Sequence, residues 1–358
     1  MEILIFDMDG VLLEANGYHR ALQKTVQLIA DHLSLDGIQL SKDQIDTFES
    51  LGISSEWHSS ALCLAFLETQ LRAGIVPSSL DLSQLFSVLQ SQPLILPARQ
   101  RAEQALQEIC SDFGVDYDGI RLIIEASEDI ERSLTMSWFQ ELVLGSQAYQ
   151  GRYQKESQLD TPSYLEIHDR LLISPAKADL ISNWSQNGGL GAAIMTNRPS
   201  SGPQGFGGSP EAEMGRDLAG MEAVPLIGYG EISWLAARTQ NDPDRLAKPN
   251  PCHALAAIFL ALGLPKEISL TASLGNISSL DQTLVSKLQG KTITVFEDTP
   301  AGIRSVKEAA GLISESGFQV EVNPIGIAVS KIKKSALEAE GARVAADINA
   351  ALSGLDNF

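Results

Sequence analysis

The strand-forming segments of this chain are separated by a long block of helical pattern. Residues 2–6, EILIF, form an apolar run that stops at the polar cluster DMDG, which is the pattern of a buried strand ending in a loop. From about 17 to 172 the apolar residues recur at helical spacing, and strand signals return only after 175. This order predicts one α/β domain in two sequence pieces, with a helical domain of about six helices inserted between them.

The C-terminal half alternates strand and helix signals, which predicts a parallel sheet with right-handed crossovers. We therefore expect an α/β fold: a Rossmann-like core of residues 1–14 and 175–358 and an all-helical insertion of residues 15–174. Two long connections follow: the glycine- and proline-rich 199–223, expected to be a flexible loop, and the polar 265–290. The predicted strands are 190–195, 225–230, 291–296 and 325–330, and the predicted helices are 175–187, 231–239, 251–263, 300–310 and 333–341.

Composition excludes several classes of protein. Of the 358 residues, 44% are apolar, which is enough to bury a sizeable core and rules out a disordered chain. The 26 Lys and Arg residues against 45 Asp and Glu residues leave a net charge of -19. A chain this acidic repels nucleic acids and anionic lipid surfaces, so we expect no nucleic-acid partner and no membrane.

The cysteines and the first residues indicate the compartment. Cys63, Cys110 and Cys252 are odd in number, far apart and without CxxC spacing, which argues against disulfides and a zinc site. The chain opens with MEILIFDMDG, without the basic and apolar regions of an export signal, and the apolar stretch 252–264 is short for a membrane span. We expect a cytoplasmic protein.

Polar residues follow four of the predicted elements. In an open parallel sheet, ligands bind beyond the carboxyl ends of the strands, so these positions are the candidates for chemistry. Two carboxylates one residue apart can divide the roles of attack and proton exchange, and Gly10 permits the tight turn after them. Oxygen ligands of this kind suit Mg²⁺. The candidates are Asp7 and Asp9, Thr196 and Asn197, Lys248, and Glu297 with Asp298.

Each candidate has a structural alternative when it is taken alone. The DMDG cluster is also a common turn or helix cap, and Glu297 with Asp298 would complement the N-terminus of the helix that Thr299 and Pro300 begin. Lys248 would ordinarily be a solvated surface charge, and Thr196 a hydroxyl that caps a local turn. The functional interpretation therefore depends on the complete set and its order along the chain.

The set resembles the haloacid-dehalogenase-like (HAD) superfamily. DMDGV, Thr196-Asn197, Lys248-Pro249 and FEDTPAGI occur in that order, and FEDTPAGI with KPNP and with YHRA at 18–21 is similar to the β-phosphoglucomutase-like branch. The resemblance covers residues 1–22 and roughly 175–350, whereas 23 to about 172 matches only as a helical cap at the same insertion point. It implies a HAD-like core and an enlarged cap domain.

The resemblance also implies a phosphoryl-transfer mechanism with Mg²⁺. Asp7 would be the nucleophile that forms an aspartyl-phosphate, and Asp9 would protonate the leaving oxygen and then deprotonate water. The ion would be held by Asp7, the backbone carbonyl of Asp9 and Asp298, with Glu297 behind them. Dehalogenation is not expected, because a dehalogenase has no leaving oxygen for Asp9 to protonate.

Three further residues complete the implied site. The Thr196 hydroxyl and the Asn197 amide would bind phosphoryl oxygens, and Lys248 would balance the charge. His19 has the position of a histidine in the mutase-like relatives and would approach the substrate, although a surface histidine is the alternative. Arg20 and Arg198 could add phosphate or substrate contacts, but a surface charge is the more common role of such an arginine, so neither is included in the site. The other histidines are expected to be structural: His32, His58, His168 and His253.

Three functions remain open at this level. The first is a Mg²⁺-dependent phosphatase that acts on a small phosphate monoester, with a sugar phosphate as the default substrate. The second is a β-phosphoglucomutase-like phosphohexose mutase, and the third is a catalytically silent scaffold whose helical insertion binds a protein. The intact catalytic set argues against the scaffold, and the long insertions prevent a relative's substrate from being transferred to this chain.

Overall fold

The structure is a computed structural model that describes residues 2–53, 55–93, 98–186, 191–275 and 286–353. Its internal contacts define two compact units. The core unit consists of Met1–Ala15 and Asp169–Phe358, and the helical unit consists of Asn16–His168. The chain thus passes from the core unit into the helical unit and back once.

The core unit is built on a six-stranded parallel sheet, which confirms the predicted fold class. The strand order is β5-β4-β1-β6-β7-β8, so the N-terminal strand lies in the middle, and a separate antiparallel pair joins β2 to β3. Residues of β1 pair in register with both neighbours, Phe6 opposite Ile194 and Phe296. The strands are β1 Ile3–Phe6, β2 Leu13–Glu14, β3 Arg170–Leu171, β4 Gly191–Met195, β5 Leu226–Ile227, β6 Lys291–Glu297, β7 Val320–Ile327 and β8 Arg343–Ala345.

Both faces of the sheet are buried, which explains why EILIF is apolar without alternation. Ile3 and Ile5 pack into a cluster on one face, and Leu4 and Phe6 pack into another cluster on the opposite face. Successive side chains of a strand point to opposite faces, so a central parallel strand needs apolar residues at every position. This packing brings the carboxyl ends of β1, β4 and β6 to one edge.

Five helices of the core unit lie close to their predicted positions, and others were not predicted. The structure places the helices of this unit at α10 Pro175–Gln186, α11 Glu211–Leu218, α12 Tyr229–Thr239, α13 Pro251–Ala261, α14 Lys266–Ala272, α15 Pro300–Glu315, α16 Lys331–Ala339 and α17 Ile348–Leu352. Of these, α11, α14 and α17 were not predicted, α11 and α14 because they lie within the two long connections. Four corrections to the predicted segments follow, two for helices and two for strands.

The first correction concerns 199–223, which is not a loop throughout. Helix α11 occupies Glu211–Leu218, and both Glu211 and Ala212 are fully buried. Most of the glycines and all the prolines of this segment precede position 211, so composition averaged over the whole segment concealed the helix.

The other corrections concern element ends. Strand β5 stops at Ile227, short of the predicted 230, because the Gly228 N–H donates to the Glu231 carboxylate at 2.9 Å and begins α12. Helix α15 continues through Gly311, where it was predicted to stop, since burying Ile313 outweighs the roughly 1 kcal/mol that glycine costs in a helix. Strand β7 was predicted at 325–330 but spans Val320–Ile327. Its start was missed because the first half of the strand alternates polar and apolar residues and does not form an apolar run.

The helical unit contains nine helices within the described residues, where about six were expected. The segment SWFQELVLGSQAY illustrates the reason: it reads as one helix, but Gly145 adopts φ 78° and divides it in two. Short helices of this kind are hidden in a continuous helical pattern. The nine are α1 Asn16–His32, α2 Lys42–Ser50, α3 Glu56–Arg72, α4 Ser83–Ser91, α5 Ala98–Phe113, α6 Asp118–Glu125, α7 Leu134–Leu144, α8 Ser146–Tyr153 and α9 Tyr164–His168.

Parts of three predicted segments lie outside the described residues: Asn187 of a helix, Leu190 of a strand and 276–285 of the second long connection. Within the described part of the chain, none of the helices has both the length and the apolar character that a bilayer crossing requires.

Candidate active site

Asp7 stands at the end of the central strand. Its backbone N–H donates to the Phe296 carbonyl at 2.9 Å, which extends the pairing of β1 with β6 by one residue. Its side chain is buried, and Oδ1 accepts the Met8 N–H at 2.8 Å. The strand pairing thus holds this carboxylate beside the end of β6, where Glu297 and Asp298 follow.

Lys248 joins Asp7 to Glu297. Its Nζ lies 2.8 Å from Asp7 Oδ1 and 2.8 Å from Glu297 Oε1, and it also donates to the Met195 carbonyl at 3.1 Å. All three side chains are buried. Burial lowers the pKa of Lys248, but the charges of the two carboxylates outweigh burial and raise the pKa above its ordinary value. Lys248 is therefore a buried, charged ammonium, not the surface lysine of the structural alternative.

Glu297 is fully buried and belongs to the start of α15 as well as to the cluster. Its Oε2 accepts the Thr299 hydroxyl at 2.9 Å, and Thr299 is the N-cap residue of α15. A Cβ at Gly302 would overlap the Glu297 carboxylate, so the glycine of TPAG makes room for it. Glu297 therefore contributes both to the N-terminus of α15 and to the acidic cluster.

Asp298 completes a group of three carboxylates. Its Oδ2 lies 2.5 Å from Lys333 Nζ at the start of α16. Gly10 has φ 74°, and a Cβ there would lie 2.6 Å from Asp298 Cγ. Only glycine combines this left-handed backbone with so close an approach. The DMDG motif thus contributes both the Asp7 carboxylate and the space that Asp298 occupies.

The cluster is able to hold a metal ion. One oxygen from each of Asp7, Glu297 and Asp298 lies within 4.8 Å of the others. Burial, followed by the charge of Glu297, raises the pKa of Asp7 well above its ordinary value, although Lys248 opposes this; burial also raises the pKa of Asp298. Three carboxylates face two lysines, Lys248 and Lys333, so a cation would offset the excess negative charge. The all-oxygen donor set fits a hard divalent cation.

Asp9 lies on the same turn but is held by a different partner. Its side chain is 39% exposed, and Arg198 binds it through two guanidinium nitrogens. The surface charge given as the more common role of Arg198 is wrong, because its side chain is 1% exposed. The signal for this arginine in the sequence was its place directly after Thr196-Asn197 at the end of β4. The Asp9 side chain is therefore held by Arg198 and does not belong to the group of three carboxylates formed by Asp7, Glu297 and Asp298.

The remaining predicted site residues are on two units. Thr196 is buried at the end of β4, where its hydroxyl accepts the Arg198 N–H at 3.1 Å, and Asn197 is exposed beside it. His19 lies on α1 of the helical unit, with its Nε2 3.0 Å from Glu49 Oε1. The phosphate contacts of Thr196 and Asn197 and the substrate contact of His19 stay predictions.

His253 is a buried residue of α13. Its Nε2 is 3.1 Å from the Ile227 carbonyl, and burial, then repulsion from Lys248, lowers its pKa from 6.5 to about 3. The folded protein therefore keeps His253 neutral at a pH where the unfolded chain already takes up the proton.

We expect this histidine to make the free energy of unfolding depend on pH. Above pH 6.5 both the folded and the unfolded chain keep His253 neutral, so the contribution of this residue to the free energy of unfolding is fully present. As pH falls from 6.5 toward about 3, the unfolded chain alone takes up the proton, and the free energy of unfolding falls by about 1.4 kcal/mol per pH unit. Urea unfolding of the wild type and His253→Gln over this range measures the effect. The variant should show the shallower decline, and parallel curves would contradict the assignment.

Comparisons with known proteins support the fold. No family model matches the chain, and no curated protein matches it. An X-ray structure of Northeast Structural Genomics Consortium target ZR25 matches with a TM-score of 0.63 and 15% identity over 100% of this chain and 99% of that chain, which shows a shared fold. Phosphatase Tt82 from Thermococcus thioreducens (13% identity, 94% and 99% covered) and a hydrolase from Pseudomonas syringae (12%, 100% and 99%) have TM-scores of 0.43 and 0.36, too low for a conclusion.

Proposed function

We propose, on the premise of a HAD-like fold with an acidic cluster at its sheet edge, that this protein is a Mg²⁺-dependent phosphatase acting on a small phosphate monoester. The observation that carries the proposal is the contact of Asp7 with Lys248 beside Glu297 and Asp298. A buried carboxylate paired with a buried lysine is an unusual arrangement for stability alone, since desolvation offsets much of the attraction.

Asp7 would act as the nucleophile. One of its oxygens attacks phosphorus, the bond from phosphorus to the ester oxygen breaks, and an aspartyl-phosphate forms. The Met8 N–H and Lys248 both bind Oδ1, which fixes the orientation of the carboxylate for this attack. Water then attacks phosphorus, inorganic phosphate leaves, and the Asp7 carboxylate is regenerated.

Asp9 would move the protons. Its half-exposed carboxyl group would protonate the departing oxygen and then accept a proton from the attacking water. Thr196 and Asn197, at the end of β4, would bind phosphoryl oxygens, and Lys248 would balance charge at Asp7.

The metal would be held by Asp7, Asp298 and the Asp9 backbone carbonyl, with Glu297 behind them. When bound, Mg²⁺ would supply positive charge to the phosphoryl oxygens. It would also compete with Lys333 for the Asp298 carboxylate. We further propose that the helical unit is the cap domain that selects the substrate, and that His19 contributes to it.

The test is a panel of phosphate monoesters with Mg²⁺, read as released inorganic phosphate. We expect at least one ester to be hydrolysed, with loss of activity in EDTA and recovery when Mg²⁺ is restored. Calorimetric titration of the protein with Mg²⁺ alone gives an independent measure of the metal site. Absence of turnover across the panel together with absence of Mg²⁺ binding would overturn the proposal.

The same panel separates the mutase. A phosphohexose mutase shares the aspartyl-phosphate but returns the phosphoryl group to a sugar, so it would convert β-glucose 1-phosphate to glucose 6-phosphate with little free phosphate. FEDTPAGI and YHRA favour this second function. Inorganic phosphate as the main product would exclude it.

A further inference from the structure

Arg198 is a buried cation that the chemistry described above does not use. It follows Thr196 and Asn197 at the end of β4, and its side chain is 1% exposed. Burying a guanidinium is costly unless its charge is paired and its donors are bonded. The residues that pair with Arg198 therefore indicate why a charged side chain is buried at this position.

The guanidinium binds two aspartates at once. Nε donates to both oxygens of Asp9, to Oδ1 at 2.8 Å and to Oδ2 at 3.0 Å, and Nη2 donates to Oδ1 at 2.5 Å. Nη2 also lies 2.8 Å from Asp169 Oδ2. The planar fork of arginine defines the orientation of a carboxylate in a way that a lysine ammonium does not. Arg198 therefore determines where the Asp9 carboxylate points.

The two aspartates differ in exposure, and this difference assigns their roles. Asp169 is fully buried, whereas Asp9 is 39% exposed. Asp169 balances the charge of Arg198 within the protein, so Arg198 orients Asp9 through hydrogen-bond geometry without adding net positive charge. Arg198 itself is too buried to contact a substrate. The exposed member of the network is Asp9.

The inserted helix α11 supports the guanidinium. A Cβ at Gly215 would lie 3.1 Å from Arg198 Nη1 and within contact of Met8 and Leu13. The absence of a side chain at Gly215 thus leaves space for Arg198 beside the turn that carries Asp9. Helix α11, within the long segment 199–223, thus packs against the guanidinium of Arg198.

We infer that Arg198 is a positioning residue that holds the Asp9 carboxyl group against the leaving oxygen of the substrate, with Asp169 as its buried counterion. The inference rests on the proposed phosphatase function. In the first step the bond from phosphorus to the ester oxygen breaks, the electron pair stays on that oxygen, and Asp9 supplies its proton. A misdirected Asp9 would slow this step most when the leaving oxygen needs the proton.

Two aryl phosphates that differ only in a para nitro group test this dependence. p-Nitrophenyl phosphate releases a phenolate that the nitro group stabilises, so it needs little proton donation, whereas phenyl phosphate needs more. The parameter to measure is kcat/KM, because it covers the reaction only as far as departure of the leaving group. We expect Arg198→Met to lower kcat/KM about 10²-fold for phenyl phosphate and only a few-fold for p-nitrophenyl phosphate.

Controls separate positioning from general damage. Arg216→Met removes an arginine of α11 that pairs at the surface with Asp217, and it should change neither substrate. Because Arg198→Met removes the cation that faces the buried Asp169, the double variant Arg198→Met with Asp169→Asn removes both charges and should show the same selective loss. Arg198→Lys keeps the charge without the fork and should recover only part of the phenyl phosphate rate.

Equal losses on both substrates, or no loss, would overturn the role of Arg198 while leaving the phosphatase proposal intact. If the wild type hydrolyses neither aryl phosphate nor any ester of the panel, the proposed function itself fails. The two failures are therefore distinguishable.

Discussion

Asp7→Asn should abolish phosphate release, with a loss on the order of 10⁴-fold or more in kcat. The amide keeps the shape of the carboxylate and can still accept the Met8 N–H, but its oxygen is a poor nucleophile. The measurement is inorganic phosphate released from the best ester of the panel, in the presence of saturating Mg²⁺. A variant that retained a tenth of the wild-type rate would exclude Asp7 as the attacking group.

The same substitution should not reduce stability. Asp7 is buried beside Glu297, and burial with that charge raises the pKa of Asp7. Replacing it by a neutral amide removes this repulsion, while Lys248 keeps its contact with Glu297. We expect the Tm of Asp7→Asn to equal or exceed that of the wild type. Catalytic groups often lower the stability of the folded protein, and replacing them then raises it. A strongly lowered Tm would mean that the activity loss reflects unfolding.

Lys248→Met should destabilise the protein by about 3–5 kcal/mol, because it leaves two buried carboxylates without their shared cation. The predicted loss is large because Asp7 and Glu297 are both almost inaccessible to water. Chemical denaturation of the wild type and the variant at neutral pH gives the difference in the free energy of unfolding.

Two comparisons identify the cause of that loss. Adding Glu297→Gln to Lys248→Met removes one of the uncompensated charges and should recover part of the stability. Lys266→Met offers a matched control: Lys266 also pairs with a fully buried carboxylate, Glu231, but is 32% exposed, and Glu231 keeps the Ser200 hydroxyl and the Gly228 N–H as donors. A loss from Lys266→Met as large as that from Lys248→Met would contradict the explanation.

Sequence patterns predicted the central strand and the order of the α/β elements well, for a physical reason. A strand buried on both faces requires an unbroken apolar run, so EILIF was identifiable without contacts, and KTITVF was identifiable from its β-branched and aromatic residues. The failures concern elements that composition or periodicity does not resolve. Helix α11 follows a glycine-rich stretch, and Gly145 divides a continuous helical pattern in the helical unit.

The candidate site was predictable in part. Asp7, Lys248, Glu297 and Asp298 follow their elements at the edge where parallel strands end, and the structure brings them together. The position of Arg198 directly after Thr196-Asn197 was visible in the sequence, but its contacts were not, because an arginine at a strand end is ordinarily solvated. Only the burial of its side chain between Asp9 and Asp169 distinguishes it from the exposed arginines of the same chain.

The sequence by itself determined which residues follow β1, β4 and β6, since the apolar or β-branched runs of these strands and the polar residues after them are local properties of the chain. It also determined that the core is assembled from two pieces, because a single strand precedes a long helical block. The tertiary structure alone decided the pairing of charges. Lys248 lies between Asp7 and Glu297, Lys333 contacts Asp298, and Arg198 links Asp9 to Asp169. These contacts join residues far apart in sequence, and their strength depends on burial, which no local pattern specifies.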